Sequence, residues 1–247
     1  MKITQICALT ALAVSLATPS LVASTITLNL DPVNFTALPG GEYNAVPAGT
    51  LVQPVTLLPY APGDILAGYA ASAKSGGGFQ TFCLEENESF TPGKSYFTAI
   101  NTGAVGGGVN LGHPGITPGF DPLSQGTSWL YSQFAKGTLA GYNYTYGAGR
   151  IATAKELQQT IWWLEDESSV APANVFTTAV YAQFLDPKKD AVAGEFGVWA
   201  LNLTLRDGTR RQDVPVYLTP DGGFTLVFLG FGLGGLSLLS RRVQVSR

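Results

Sequence analysis

Hydrophobic and polar positions repeat along this chain with two periods, that of strands and that of helices. Thr25–Leu30, Phe79–Leu84 and Lys94–Ile100 carry the strand period. In Phe79–Leu84, Phe79, Thr81 and Cys83 share one face and Phe82 and Leu84 the other. Thr50–Leu58 reads as a strand that Pro54 confines to a sheet edge. Phe196–Leu205 and Arg211–Leu218 form a hairpin across Arg206-Asp207-Gly208-Thr209, with Trp199, Leu201, Leu203 and Leu205 on one face. Three helices are predicted between these strands. Asp121–Phe134 has a stripe of Trp129, Leu130, Gln133 and Phe134, with Ser124 or Ser128 as N-cap and Gly137 as terminator. Ala154–Glu167 has Ala154, Leu157, Ile161 and Leu164 on one stripe, capped by Thr153. Ala173–Leu185 offers Val175, Phe176, Ala179, Val180 and Phe184, and Asp186-Pro187 stops it. Asp31–Gly49, Asn101–Gly119 and Gly141–Gly149 are rich in glycine, proline or tyrosine and read as loops, and Ala71–Gly78 is a flexible approach. The pattern predicts an α+β fold: β-sandwich-like strands at both ends with an inserted three-helix subdomain.

The middle helix carries the position of most chemical interest. Gln158 lies one turn before Trp162, on the border of the apolar stripe. An amide held beside aromatic surface needs a hydrogen-bond partner. Trp162 and Trp163 are adjacent, so one faces the core and the other lies near its edge. Lys155 and Glu156 sit off the stripe, and Glu165–Glu167 close the segment with charge.

The two ends change the picture from a soluble domain to an exported one. Met1–Ser24 reads as a secretory signal peptide, with Lys2, an apolar run from Ile6 to Leu16, and small residues before cleavage after Ala23 or Ser24. At the other end, Thr219-Pro220-Asp221-Gly222-Gly223 leads into the apolar Phe224–Leu239 and then Ser240-Arg241-Arg242. That span is slightly short of the roughly 20 residues of a relaxed transmembrane helix, and Arg241 and Arg242 would stay on the cytoplasmic side. Motif, span and arginine pair resemble the PEP-CTERM class of sorting signals, in its variant with Val-Pro-Asp-Ser-Gly or Val-Pro-Asp-Gly-Gly. Thr219 stands for the Val and Gly222 for the Ser, while Pro220, Asp221 and Gly223 match. The resemblance implies an exosortase-type sorting protease as partner and a transient inner-membrane anchor. A plain single-span anchor is the alternative. The expected domains are a signal peptide over 1–24, an extracellular domain over 25–218 and a sorting segment over 219–247.

Charged residues make up only 13% of the chain and the net charge is −3, which argues against a nucleic-acid partner. Export also gives the cysteines meaning. Cys7 leaves with the signal peptide, so the mature chain keeps Cys83 alone and forms no internal disulfide.

Thr81-Phe82-Cys83-Leu84 and Leu157-Gln158-Gln159-Thr160-Ile161-Trp162 together resemble the thioester-domain family of bacterial surface adhesins, which pairs a strand cysteine with a later Thr-Gln-x-Ala-Ile-Trp motif. Ile161 and Trp162 match the motif; Leu157 stands for its Thr and Thr160 for its Ala. Gln159 is a rival for the reacting amide, and spacing to Trp162 favours Gln158. The resemblance implies a thioester between Cys83 and Gln158, shielded by Phe82, Ile161 and Trp162. Such a bond stores an electrophile that acylates an amine or hydroxyl on a partner once, without turnover and without a cofactor. The protein is then an exported surface or matrix protein whose protein or polysaccharide target is unknown, and not an enzyme. The alternative is a structural envelope or matrix protein with an unmodified buried cysteine.

Other candidates are weaker. His113 lies in a Gly/Pro loop, where solvent exposure is the ordinary outcome and a proton-transfer role the other. Glu85, Glu86 and Glu88 match no cation loop and read as a solvated cluster. Gly76–Gly78 and Gly106–Gly108 lack the strand–glycine–helix setting of a nucleotide site. With one histidine, no cysteine-protease triad assembles.

Overall fold

The structure, a computed structural model, describes residues 25–33, 35–48, 55–57, 78–106 and 119–220. The expected signal peptide, Cys7, His113, and Asp221, Gly222, Gly223, Arg241 and Arg242 lie outside the described residues. Among the described residues no helix is long and apolar enough to cross a membrane.

The strands are β1 (Thr25–Asn29), β2 (Tyr43–Ala48), β3 (Val55–Leu57), β4 (Phe79–Thr81), β5 (Ser95–Asn101), β6 (Gly103–Val105), β7 (Phe120–Pro122), β8 (Val198–Thr204) and β9 (Arg210–Pro220). Seven form one antiparallel sheet in the order β3-β9-β8-β5-β1-β2-β4, and β6 pairs with β7. The sheet curls until its ends nearly meet. Thr81 Oγ1 donates to the Pro215 carbonyl at 2.6 Å and the Leu84 N–H to the Asp213 carbonyl at 3.0 Å, so the chain leaving β4 lies along β9. Three helices are inserted before the last hairpin: α1 (Gln125–Ala135), α2 (Ala148–Leu164) and α3 (Val175–Gln183). The α+β class with strands at both ends and an inserted helical region is therefore the observed one.

Alternation along the strands separates two cores. Ile26, Leu28, Tyr96, Leu201, Leu203 and Val216 fill the concave side of the sheet. Leu130, Phe134, Leu157, Ile161, Trp163 and Phe176 form the helical core, to which Val198 and Ala200 add from β8. Trp199 and Leu205 pack with Leu201 and Leu203, as the hairpin alternation predicts. A register shift between Leu201 and Leu203 turns Asn202 toward Asp213, to which its Nδ2 donates at 2.7 Å.

Several boundaries differ from the sequence reading. Tyr43–Ala48, expected as loop, is a strand between β1 and β4; Pro47 is tolerated there opposite Ile26. Asp121 and Pro122 belong to β7, and α1 begins only after Ser124, whose hydroxyl accepts the Thr127 N–H at 3.0 Å. Helix α2 starts at Ala148, not Ala154. The Thr153 hydroxyl turns back to the carbonyls of Gly149 and Arg150 instead of capping. Helix α3 is shorter than expected because Asn174 caps it, its side chain accepting from Phe176 and Thr177 N–H, both at 3.0 Å. Of Thr50–Leu58, only β3 is described, and it is an edge strand as expected. Strand β9 continues through Pro220, which pairs with Val55, so Thr219 and Pro220 belong to the sheet.

Candidate functional site

Gln158 is fully buried, not half-buried, because α2 is pressed against the segment that follows β4. Its amide grips the backbone of Cys83 on both sides. Nε2 donates to the Cys83 carbonyl at 2.8 Å, and Oε1 accepts the Cys83 N–H at 2.8 Å. A second N–H, from Gly41, reaches the same oxygen at 3.1 Å. Two backbone donors on one carbonyl oxygen polarise its carbon and stand ready for negative charge there. Cys83 sits just past the end of β4, two residues beyond Thr81, with no strand partner on its own N–H and C=O to compete with the amide. Gln159, the rival amide, is exposed.

The Cys83 thiol is buried and donates to the Tyr43 hydroxyl at 3.6 Å. Burial lifts the thiol to about 12, against the pull of Tyr43, and Glu88 adds to the rise. Burial and the neighbouring sulfur push the Tyr43 hydroxyl well above its ordinary range. Both groups are therefore neutral in the resting site.

The turn Gly40–Tyr43 that supplies the second donor and the hydroxyl is held from α2 itself. Arg150 and Glu42 form a fully buried, bidentate ion pair through Nε and Nη2 of the guanidinium, Nε reaching Glu42 Oε2 at 2.8 Å. The Tyr142 hydroxyl donates to that oxygen at 2.6 Å. Burial opposes the Arg150 charge, but the bonds to Glu42 outweigh it and hold the guanidinium above its usual range. The Arg150 guanidinium also lies 5.5 Å from the Phe35 ring centroid and 5.1 Å from that of Tyr146. Gly40 and Gly41 have φ of +69° and +128°. A Cβ on Gly40 would lie 2.7 Å from Trp162 Cζ2 and 2.9 Å from Gln158 Cγ, so only glycine lets the turn approach the amide.

A cleft of about 340 Å³ opens onto this arrangement, with Cys83, Tyr43, Trp162, Phe90, Glu86 and Glu88 in its wall. Of the three residues expected to shield the bond, only Trp162 lines the cleft. Phe82 packs edge-on against Phe134 at 4.9 Å, and Ile161 is buried among the helices. Phe82 points away because neighbouring residues of an extended chain face opposite sides. Leu157 and Thr160, where α2 departs from the thioester motif, have packing duties. Leu157 is in the helical core, and the Thr160 hydroxyl accepts from Asn174 Nδ2 at 3.0 Å, tying α2 to the cap of α3.

Of the acidic residues expected as a solvated cluster, Glu86 is exposed and Glu88 half-buried, whereas Glu85 is buried. Glu85, Glu165 and Glu167 are each no more than 5% exposed. Glu165 Oε1 accepts from the N–H and hydroxyl of Ser124, and Glu167 Oε2 from the Glu86 N–H at 2.9 Å. Both oxygens of Glu85 are buried without a donor. Burial, then Glu167, Asp121 and Glu88 beside it, push the Glu85 carboxyl up to about 10. Burial and Glu165 raise Asp121 to about 8. Among the described residues no group of three acidic, histidine or cysteine side chains has a geometry that holds a metal ion.

Tyr43, Gly40 and Gly41 were missed from the sequence, although the Pro39-Gly40-Gly41 run is a turn signal. Arg150 was missed as well, lying between the loop read over Gly141–Gly149 and the expected cap Thr153. No protein-family model, curated protein or solved structure matches this chain.

Proposed function

We propose that this is an exported, membrane-sorted surface or matrix protein that carries a Cys83–Gln158 thioester for covalent attachment to an amine or hydroxyl of a partner. The observation that carries the reading is the grip of the Cys83 backbone on the Gln158 amide, with the Gly41 N–H as a second donor on its oxygen. Held this way, the carboxamide lies against the residue that carries the thiol, and its oxygen already meets two donors.

Bond formation follows from these atoms. Cys83 Sγ adds to the Gln158 carbonyl carbon, and the charge that gathers on Oε1 is met by the two N–H groups. The thiol proton passes through the Tyr43 hydroxyl toward the departing nitrogen, which leaves as ammonia. An incoming amine then adds to the same carbon, the C–S bond breaks, and the sulfur takes a proton to become a thiol again. An amide joins residue 158 to the partner. Each molecule reacts once, so the protein is not an enzyme, and no cofactor takes part. Glu86 and Glu88 at the cleft favour a cationic amine over a neutral hydroxyl as the arriving group. The resemblance of the C-terminal segment to PEP-CTERM signals supports an exosortase-type protease as sorting partner and a place at the cell envelope, surface or extracellular matrix.

One observation favours a second reading, a structural matrix or envelope protein with an inert cysteine. Burial keeps the Cys83 thiol neutral, and a neutral thiol is a poor nucleophile. Intact mass of the exported protein separates the two. The thioester reading expects the loss of one ammonia, restored to full sequence mass in Cys83→Ala and in Gln158→Ala. Methylamine should add its whole mass to the native form and free one thiol. A native mass equal to that of the processed sequence favours the inert cysteine.

A further inference from the structure

The carboxyl cluster touches both halves of the site without belonging to it. Glu85 follows Cys83 by two residues, while Glu165 and Glu167 follow Gln158 at the end of α2. The Glu86 N–H bond to Glu167 and the Gln212 Nε2 bond to the Glu85 carbonyl at 2.9 Å hold the chain beyond Cys83 in place. This is the second junction between the cysteine segment and the glutamine helix.

We infer that this cluster is a proton-operated clamp on the Cys83–Gln158 site, closed while Glu85 holds a proton and released as it ionises. The inference rests on the thioester reading for its consequence, not for its motion.

The charges that act most on Glu85 are all carboxylates: Glu167 beyond α2, Asp121 of β7, and Glu88 of its own loop. Asp121 in turn faces Glu165, Glu167 and Asp166 beyond α2, and Asp190 of the loop after α3. The cations nearby meet other members of the cluster and temper their charge without reaching Glu85. Lys188 is paired with Asp166, and Arg210 and Arg211 of β9 act on Glu88. The negative end of the α2 dipole adds to the repulsion. Orphaned Glu85 oxygens cannot stay buried as a carboxylate among these neighbours. Protonated, Glu85 has an O–H to donate toward Glu167. Ionised, it is drawn toward water, and segment 85–88, where Glu86 and Asn87 are already exposed, then parts from the end of α2. That movement pulls on the Cys83 backbone, whose N–H meets the residue-158 carbonyl oxygen and whose C=O also holds the amide nitrogen until it leaves as ammonia. The protons released go to water, and no bond other than hydrogen bonds changes.

Glu85→Gln tests this, since the amide keeps the shape, cannot ionise, and has N–H groups to offer Glu167. Methylamine uptake by the wild-type and variant proteins is followed by intact mass from pH 6 to 10. The ratio of wild-type to variant rate should rise at least about tenfold from pH 6 to pH 10, since between the solvated and the buried value of the carboxyl each pH unit biases the opening up to tenfold. Parallel profiles overturn the clamp. Trp162 and Trp163 emission in Cys83→Ala protein, which has no thioester, reads the motion alone. It should shift with rising pH, and not when Glu85→Gln is added. If the emission shifts but no ammonia is lost in the native protein, the clamp stands and the thioester reading falls. If ammonia is lost but emission and uptake ratio ignore pH, the clamp falls and the thioester stands. Loss of far-ultraviolet circular dichroism together with the emission shift overturns a local clamp, because the whole fold is then titrating.

Discussion

Arg150 and Glu42 face each other with no solvent on either side, one on the helix of Gln158 and the other next to Gly41. The pair sets the distance between the amide and its second donor. Removing one partner leaves a buried charge without compensation, which costs about 3–5 kcal/mol. Arg150→Met and Glu42→Gln should each lower the urea midpoint accordingly. Both should also reduce the fraction of molecules that have lost ammonia, measured on protein that remains folded.

Gly41→Ala tests the donor itself. The residue has φ of +128°, and a Cβ would lie 2.9 Å from the Ala37 nitrogen. Strain of about 1–3 kcal/mol is expected, together with loss of the bond to Gln158 Oε1. Gly93→Ala is the control, because its φ of +77° carries a similar backbone penalty with nothing near the new methyl. Thermal stability should fall in both, and thioester yield only in Gly41→Ala.

Tyr43→Phe removes one hydroxyl and leaves the ring that packs edge-on against Phe90 at 4.7 Å. The fold should persist. Ammonia release after refolding, followed by mass, should slow by about 10²-fold if the hydroxyl carries the thiol proton. An unchanged rate would take Tyr43 out of the chemistry.

Thr160→Ala restores the residue that the thioester motif has at this position. It also deletes the hydroxyl that meets Asn174, and about 1 kcal/mol of stability should go with it. The thioester yield should be unaffected, since Thr160 faces α3 and not Cys83. Differential scanning calorimetry and intact mass on one sample separate the two effects.

Acid pH should stabilise the fold. Burial raises Asp213 to about 7 despite the N–H bonds it accepts, and Glu165 also to about 7 despite Thr127 and Ser124. For a carboxyl raised on folding, the unfolded chain gives up its proton first. The stabilisation is therefore complete below about pH 4, the unfolded value, and is lost as pH climbs through 7. The slope approaches about 1.4 kcal/mol per pH unit for each group across that window. The thermal midpoint should fall from pH 4.5 to 7, and Asp213→Asn should flatten the fall. A midpoint that rises over this range would contradict the burial of both groups.

The parts of the fold with one clean period were legible in the sequence. The final hairpin, β5, and the stripe from Ala154 to Leu164 needed no tertiary information, because each buries one face against a neighbour. The Cys83 and Gln158 neighbourhood came from motif resemblance, and the structure brings those two residues together. What the pattern concealed was held by long-range partners. Tyr43–Ala48 contains Asn44 and Pro47 and looks irregular until β1 and β4 flank it. The first turn of α2 is glycine-rich and is fixed by Arg150 reaching across to Glu42. Glu85 read as surface charge beside Glu86 and Glu88, since nothing local tells that it is buried without a donor.

The last strand has a mechanical side. Strand β9 runs from Arg210 to Pro220 with β8 bonded along one edge and β3 along the other. A pull on the chain at Pro220 is directed along that strand, so its rungs are sheared together rather than peeled singly. Were residue 158 joined to a partner as proposed, tension entering there would meet the same strand through the Leu84–Asp213 and Thr81–Pro215 seam, and the domain would carry load between that bond and the chain beyond β9.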